Sequence, residues 1–568
     1  MIIASGLGSG LDINAIVEGL VAAEGDFKVA KLDRTEATLQ AKLSSFGTLK
    51  SALASFGSSA STLAQISTFR AHTSETSDFS LVRVSADSTA SAGSYGIEVT
   101  QLATAHSLAS APGLFTDQGS AVGTGVLKIT FGTTVYDPGT DYVTGDDTYT
   151  SFTANTKISS FDITISSTNN SLTGLRDAIN DKDAGVQASI INDGSGYRLL
   201  LTSDSGLAQS MEITVTDDDN NNSDLSGLSA FTFSSTATHM EQTQSGLDAN
   251  FKVNGLAATA SSNTVTSVIE GVTLTLLKSD AGNPATVTIS RDDAGIEDAI
   301  GTFVARYNEL IENLNSSTSY NAETREAGVL LGDFTIRSVT QRLTREMLSL
   351  STTKQNGFNV LADIGITTTR TGTLSIDSLK LSSALKDNFE SVVGLFAAQG
   401  TPTDSNVKFV TSASSTIEDT YMVAITSLDD GAGNVVGTIG GLTASGSGTL
   451  LTGSGRAQGL VLNVAGTQVG NRGTVTFERG LADRVNSFIA SLIGTGGILV
   501  ARTEGLTGQI DDIADDRLKL GKRLLNLEDR LRRQFTALDG LIASMRSTSD
   551  FLTAQLEALP EIRVRTRR

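Results

Sequence analysis

From residue 513 to residue 552 the chain steps by four and three through Ile513, Arg517, Leu520, Leu524, Leu527, Leu531, Gln534, Leu538, Leu541, Met545, Thr548 and Leu552. Nine of these twelve positions are apolar, and a heptad pattern held that long predicts one helix with a narrow apolar seam, as in a coiled coil. At 1.5 Å per residue the stretch is about 60 Å long. Arg517 and Gln534 at core positions favour a specified register over a generic greasy face. A seam this narrow needs a partner.

The other end of the chain offers one. Asp12 stands as an N-cap before Ile13, Ile16, Val17, Leu20 and Val21, and helix is expected over 12–67. Leu39, Leu43, Phe46, Leu49, Leu53, Phe56, Ala60 and Leu63 form a stripe on a surface otherwise made of Ser, Thr, Lys and Gln. We therefore expect Leu520, Leu524, Leu527, Leu531, Leu538, Leu541 and Met545 to form a leg seam, with Leu39, Leu43, Phe46, Leu53 and Phe56 opposite.

Between the ends the texture turns to alternation. Strands are predicted at 94–100, 126–131, 161–165, 187–192, 197–201, 211–216, 251–254, 272–277 and 285–290, with a short helix at 172–181 and a hairpin turn at 192–196. Helix returns at Ile296, Ile300, Phe303, Tyr307, Leu310 and Leu314, then over 333–349 and 379–397. Residues 94–102 and 420–428 match weakly, a hint of duplicated β structure. The expected fold class is α+β multidomain, with terminal α-helical coiled-coil legs and β-rich head domains inserted between them. The expected boundaries are an N-terminal leg at 1–70, a mixed body at 71–110 with 240–400, and a β-rich head at 111–239. A small β module at 401–480, a C-terminal leg at 481–560 and a basic tail at 561–568 complete the chain.

Chemistry is scarce. The 568 residues carry 62 acidic and 42 basic side chains, a net charge of −20, which argues against a general nucleic-acid binder. Cysteine is absent and only His72, His106 and His239 offer imidazoles, so disulfides, thiol nucleophiles and cysteine-held metals are excluded. Gly6, Gly8 and Gly10 have neither a preceding strand nor a following Gly-Lys-Ser/Thr, so a flexible hinge is expected rather than a phosphate cradle. The run Asp217-Asp218-Asp219-Asn220-Asn221-Asn222 has calcium-friendly oxygens, yet Asn222 and Leu228 stand where an EF-hand needs Gly and Glu; a solvated acidic loop is expected. Asp511, Asp512, Asp515 and Asp516 are expected on the exposed side of a helix start, where negative charge suits the macrodipole. No nucleophile elbow or zinc-protease motif occurs, so no catalytic, cofactor or metal residue is assigned and no enzyme activity is expected. No segment has the roughly 18 uninterrupted apolar residues of a membrane span. The first Lys or Arg is Lys28, so no signal peptide's basic region opens the chain.

Five separated stretches carry a resemblance. They are Ser9-Gly10-Leu11-Asp12-Ile13-Asn14-Ala15-Ile16-Val17-Glu18, Ala188-Ser189-Ile190-Ile191-Asn192-Asp193-Gly194-Ser195-Gly196-Tyr197-Arg198-Leu199, Phe251-Lys252-Val253-Asn254-Gly255 with Gly271-Val272-Thr273-Leu274-Thr275-Leu276, Leu331-Gly332-Asp333-Phe334-Thr335-Ile336-Arg337, and Leu361-Ala362-Asp363-Ile364-Gly365-Ile366-Thr367. In this order they resemble the flagellar filament cap family, also called hook-associated protein 2, over nearly the whole chain and least at 110–160 and 401–480. The resemblance implies a non-enzymatic assembly factor without cofactors. It implies export through the flagellar type III apparatus without a cleaved signal, helped by a dedicated export chaperone, and an extracellular place at the distal filament tip. It implies a ring-like homo-oligomer under which exported flagellin folds and enters the filament. The missing Cys suits a chain exported unfolded. Two alternatives stand beside it: a tip adhesin binding host or surface glycans, and another axial flagellar protein, either a flagellin or a hook–filament junction protein.

Overall fold

The computed structural model describes residue 10, residues 12–137, residue 139, residues 148–348 and residues 358–557. Gly6, Gly8 and the basic tail at 561–568 lie outside the described residues. Two units divide the chain: Arg70–Asp292 forms one, and the chain up to Phe69 together with Asp293 onward forms the other.

The second unit is built on its helices. Asp12 accepts the Ala15 N–H at 3.0 Å and opens α1, Ile13–Ala64, in one unbroken run. A short α2, Ile66–Phe69, follows. Its other helices are α4, Asp293–Thr318; α5, Phe334–Leu348; α6, Ser378–Asp387; α7, Phe389–Phe396; α8, Leu481–Ile493; and α9, Ile498–Glu557. The label α3 belongs to Leu172–Asn180 in the β unit. The C-terminal half of α1 supplies Phe46, Leu53, Phe56, Ala60 and Leu63 to a core shared with Phe303, Tyr307, Phe396, Val485 and Leu499. Phe56 is its centre, with its ring 5.0 Å from Phe303 and 5.6 Å from Tyr307. Burying a ring of this size is worth about 2–3 kcal/mol, which binds α1 to a helix some 250 residues away in sequence.

Several expectations need correction. The single helix predicted over 379–397 breaks at Asn388, whose φ of −139° leaves the helical region and separates α6 from α7. The mixed body expected at 71–110 and 240–400 does not hold together: residues 293–400 join the terminal helices, because Ile300, Phe303 and Leu385 complete the core around Phe56. Asp511, Asp512, Asp515 and Asp516 are exposed but lie several turns inside α9, which starts at Ile498, so the macrodipole argument fails for them. Within Leu481–Glu557 one stretch is long and apolar enough, by length and composition, to cross a membrane. The helix is interrupted between Ile493 and Ile498, and Phe488, Ile489, Leu492 and Leu499 all belong to the core.

The module between α7 and α8 is an eight-stranded sheet in the order Gln399–Pro402, Gly470–Glu478, Asp419–Ser427, Val436–Ile439, Leu442–Ser447, Leu450–Thr452, Val461–Val464, Val407–Thr411. Its two end strands are consecutive in the chain. A Cβ on Gly400 would stand 2.6 Å from Phe409 Cδ2, so glycine lets the ends close over a core of Tyr421, Val423, Leu462, Val475 and Phe477. Arg472 is buried beneath, donating to Asp404 at 2.5 Å and to the Gln468 and Ala465 carbonyls.

In the β unit, a five-stranded sheet runs His72–Thr76, Ala285–Arg291, Gly93–Gln101, Ala249–Val253, Leu256–Ala260, and a three-stranded sheet holds Val82–Ala86 and Val272–Leu276. They share the core of Ile97, Val99, Phe251, Leu274 and Val287. A second core packs α3 between the four-stranded sheet Glu241–Gln244, Ala105–Ala109, Tyr197–Ser205, Val186–Asn192 and the sheet that pairs Ser210–Asp217 with Gly125–Asp137. His106 joins these two sheets. Its Nδ1 accepts the Met211 N–H at 3.0 Å and its Nε2 lies 2.9 Å from Gln242 Oε1, which fixes the neutral Nε2–H tautomer. Burial pushes this imidazole down to about 4. Asp217 is a further correction, since it is buried, not solvated. Its carboxylate accepts the Ser229 N–H at 2.8 Å and the Ser229 hydroxyl at 3.0 Å and pins the acidic loop to the sheet.

Candidate functional site

The long helices α1 and α9 form an antiparallel pair. Arg517 reaches Asp33 at 2.5 Å and Glu36 at 2.6 Å, Arg523 reaches Glu24 at 3.7 Å, and Arg532 donates to Asn14 at 2.6 Å. As the number rises on one helix it falls on the other. Facing residues add to about 548, a register repeated at each of these contacts. At Gly25 the helices come so close that a Cβ would stand 2.8 Å from Leu524 Cδ1. Lys28 closes on Glu24, and that ammonium, helped by Arg523, holds the Glu24 carboxyl below its usual range.

This register decides what becomes of the expected seam. Leu520, Leu524, Leu527 and Leu531 are half-buried and face the N-terminal part of α1, where Leu524 packs at Gly25 and Leu527 and Leu531 share a groove with Leu20 and Glu24. They do not face Leu39, Leu43, Phe46, Leu53 and Phe56. At the level of Phe46 the partner on α9 is Arg502, whose guanidinium lies 5.9 Å from the ring centre. Phe46, Leu53 and Phe56 are buried in the helical core, with Leu39 and Leu43 packed half-buried against it. An antiparallel pair puts the start of α9 beside the end of α1, and periodicity alone carries no sign of direction.

The same register leaves the far end of α9 without a facing α1 residue among the described residues. Ile13 begins α1 opposite residue 535 or so, whereas α9 runs on to Glu557, about 33 Å further. Leu538, Leu541 and Met545 lie on that extension and are 45%, 53% and 63% exposed. Phe551, Leu552 and Leu556 are exposed there too. Gly10, with φ of +75° and open space where a Cβ would go, stands just before the Asp12 cap. Arg517 is the contact that sequence reasoning placed without a partner; its signal was a cation at a core heptad position with Asp33 and Glu36 available on the other leg.

No group of three or more His, Asp or Glu side chains able to hold a metal occurs among the described residues. What the pair offers is packing surface: two long stripes of large apolar side chains edged by charge.

Comparison with known proteins supplies the family. The model described as flagellar hook-associated protein 2 C-terminus matches residues 246–547, and that described as flagellar hook-associated protein 2 N-terminus matches residues 9–106. A flagellar hook-associated protein 2 of Escherichia coli strain K12 is 31% identical over 562 residues, 97% of each chain. This chain belongs to the flagellar hook-associated protein 2 family. A B-type flagellar hook-associated protein 2 of Pseudomonas aeruginosa is 28% identical over 573 residues, covering 98% of both chains. Among solved structures, the D1-D2-D3 domains of the flagellar cap protein FliD from Escherichia coli align with a TM-score of 0.55 at 29% identity, over 82% of this chain and 99% of that one. The two hook-associated protein 2 matches between them include most of α9 and the first strands of the β unit, with α1 whole. A flagellin hook IN motif matches residues 151–205, which hold α3 and the hairpin of Val186–Asn192 with Tyr197–Ser205.

Proposed function

We propose that this flagellar filament cap protein works at the distal end of the filament, outside the cell, as a ring-like oligomer of identical copies. In this role it promotes the folding and insertion of exported flagellin without catalysing a covalent reaction. It reaches that place by the flagellar export route without a cleaved signal, accompanied by a dedicated export chaperone. The observation that carries the reading is the α9 extension: six large apolar side chains over 538–556 stand exposed on a helix beyond the reach of α1. Leaving such a stripe in water is costly, and its spacing suits a partner helix.

The test is deletion of the gene in its host, with flagellin assayed in filaments and in cell-free medium. Soluble flagellin without filaments, reversed by the intact gene, is the expected result. Normal filaments in the deletion strain would reject the reading.

A further inference from the structure

The α1–α9 pair has two outward sides that carry exposed apolar side chains among the described residues. On α9, Leu518 and Leu525 stand one heptad apart, each 66% exposed. They lie two residues from the seam positions 520 and 527, about 200° round the helix, and so point away from α1. On α1, Phe27 is 77% exposed, and Leu20, one heptad before it and 45% exposed, stands at the edge of the groove that Leu527 and Leu531 line. A helix pair rarely leaves large apolar side chains this exposed on both helices without a use for them.

The charges beside them are complementary. N-terminal to Leu518, the same outward row carries Asp511 and Asp515; C-terminal to Phe27, the outward row of α1 carries Lys31 and Arg34. All four are exposed, and none has an ion pair among the described residues. Laid antiparallel, the α9 row and the α1 row match position by position: Asp511 with Arg34, Asp515 with Lys31, Leu518 with Phe27, Leu525 with Leu20. The residue numbers in each match add to about 545, close to the register of about 548 within the chain. Two copies would therefore sit side by side at nearly the same height.

We propose that the outer face of α9 in one copy docks on the outer face of α1 in a second copy. This deepens, and rests on, the self-assembly proposed above. The second copy is the occupant because the acidic and basic halves of the contact lie on opposite sides of the same leg. A contact between two different faces repeats from copy to copy and closes into a ring when the rotation allows. Charges flanking an apolar helix seam set partner and register.

The absence of cysteine makes the contact directly testable in the full-length chain. Leu518→Cys and Phe27→Cys are made separately, checked for unchanged helix content, and oxidised alone and mixed. Disulfide-linked dimers in the mixture far above either variant alone are expected. Alongside, Asp511→Lys with Asp515→Lys, and Lys31→Glu with Arg34→Glu, are each expected to weaken self-association measured by sedimentation about tenfold or more, with the four changes together restoring it. Wild-type association with no mixed disulfide and no effect of charge reversal would overturn this face and leave self-assembly to other surfaces. A Leu518→Cys chain that cross-links to itself as readily would also overturn it, since the contact would be between like faces. A wild-type chain that sediments only as a monomer would overturn both proposals.

Discussion

Mild acid should weaken the β unit through one side chain. His106 is wholly buried between two sheets, and burial lowers its imidazole from 6.5 to about 4. Protonation would place an N–H on Nδ1 directly against the Met211 N–H that this nitrogen now accepts. The folded state therefore binds the proton less readily than the unfolded chain, and stability falls as pH drops below 6.5 until the folded form itself titrates near 4. At pH 4.5 the unfolded imidazole is almost fully protonated and the folded one about a quarter so, which makes the loss relative to pH 7.5 about 2.5 kcal/mol. Glu212 and Asp483, whose carboxyls burial raises, act in the opposite direction. They are common to the wild type and a His106→Gln variant, so the comparison between the two isolates the imidazole. Urea unfolding of both proteins at pH 7.5 and 4.5, followed by circular dichroism, should show the wild type losing about 2.5 kcal/mol more than the variant across this interval. An NMR titration giving His106 a folded value near 6.5, or equal losses in both proteins, would refute the argument.

Three further outcomes follow from the helices. Phe56→Ala should cost the helical unit about 3–5 kcal/mol, read as a lower denaturation midpoint, because its ring contacts Phe303 and Tyr307 at the centre of the core. Leu527→Asp should loosen the α1–α9 pair by about 2 kcal/mol and impair capping while the β unit stays folded; normal capping would count against the seam. Leu541→Ser with Met545→Ser should change stability by less than about 0.5 kcal/mol, since both side chains are already exposed, yet lower the fraction of flagellin found in filaments.

Much of the fold could be read from local patterns. The stripe from Leu39 to Leu63 predicted a helix, and α1 spans it without a break, because steps of three and four put every member on one side. The turn at 192–196 predicted a hairpin, and Val186–Asn192 pairs with Tyr197–Ser205 around it. The cap at Asp12 is likewise a contact between near neighbours. Non-local features were not readable in this way. The burial of Asp217 depends on Ser229, and the neutrality of His106 depends on Met211 and Gln242. The end strands of the eight-stranded sheet meet only because Gly400 leaves room for Phe409. In each case the partner lies on another element, where periodicity says nothing of who will arrive.

The sequence alone determined that both ends are long helices with apolar stripes, that β structure lies between them, and that five motifs resemble one family. These follow from spacing and residue type, which act over a few turns or a few strands. The tertiary structure decided direction and register: Gly25 against Leu524 and Arg517 against Asp33 run α9 back along α1. That choice seats Leu520 through Leu531 against the start of α1, sends Phe56 into a different core, and leaves Leu538, Leu541 and Met545 exposed. A stripe states that a helix must be covered. Only the close approach of particular side chains, hundreds of residues apart, settles what covers it and how far the cover reaches.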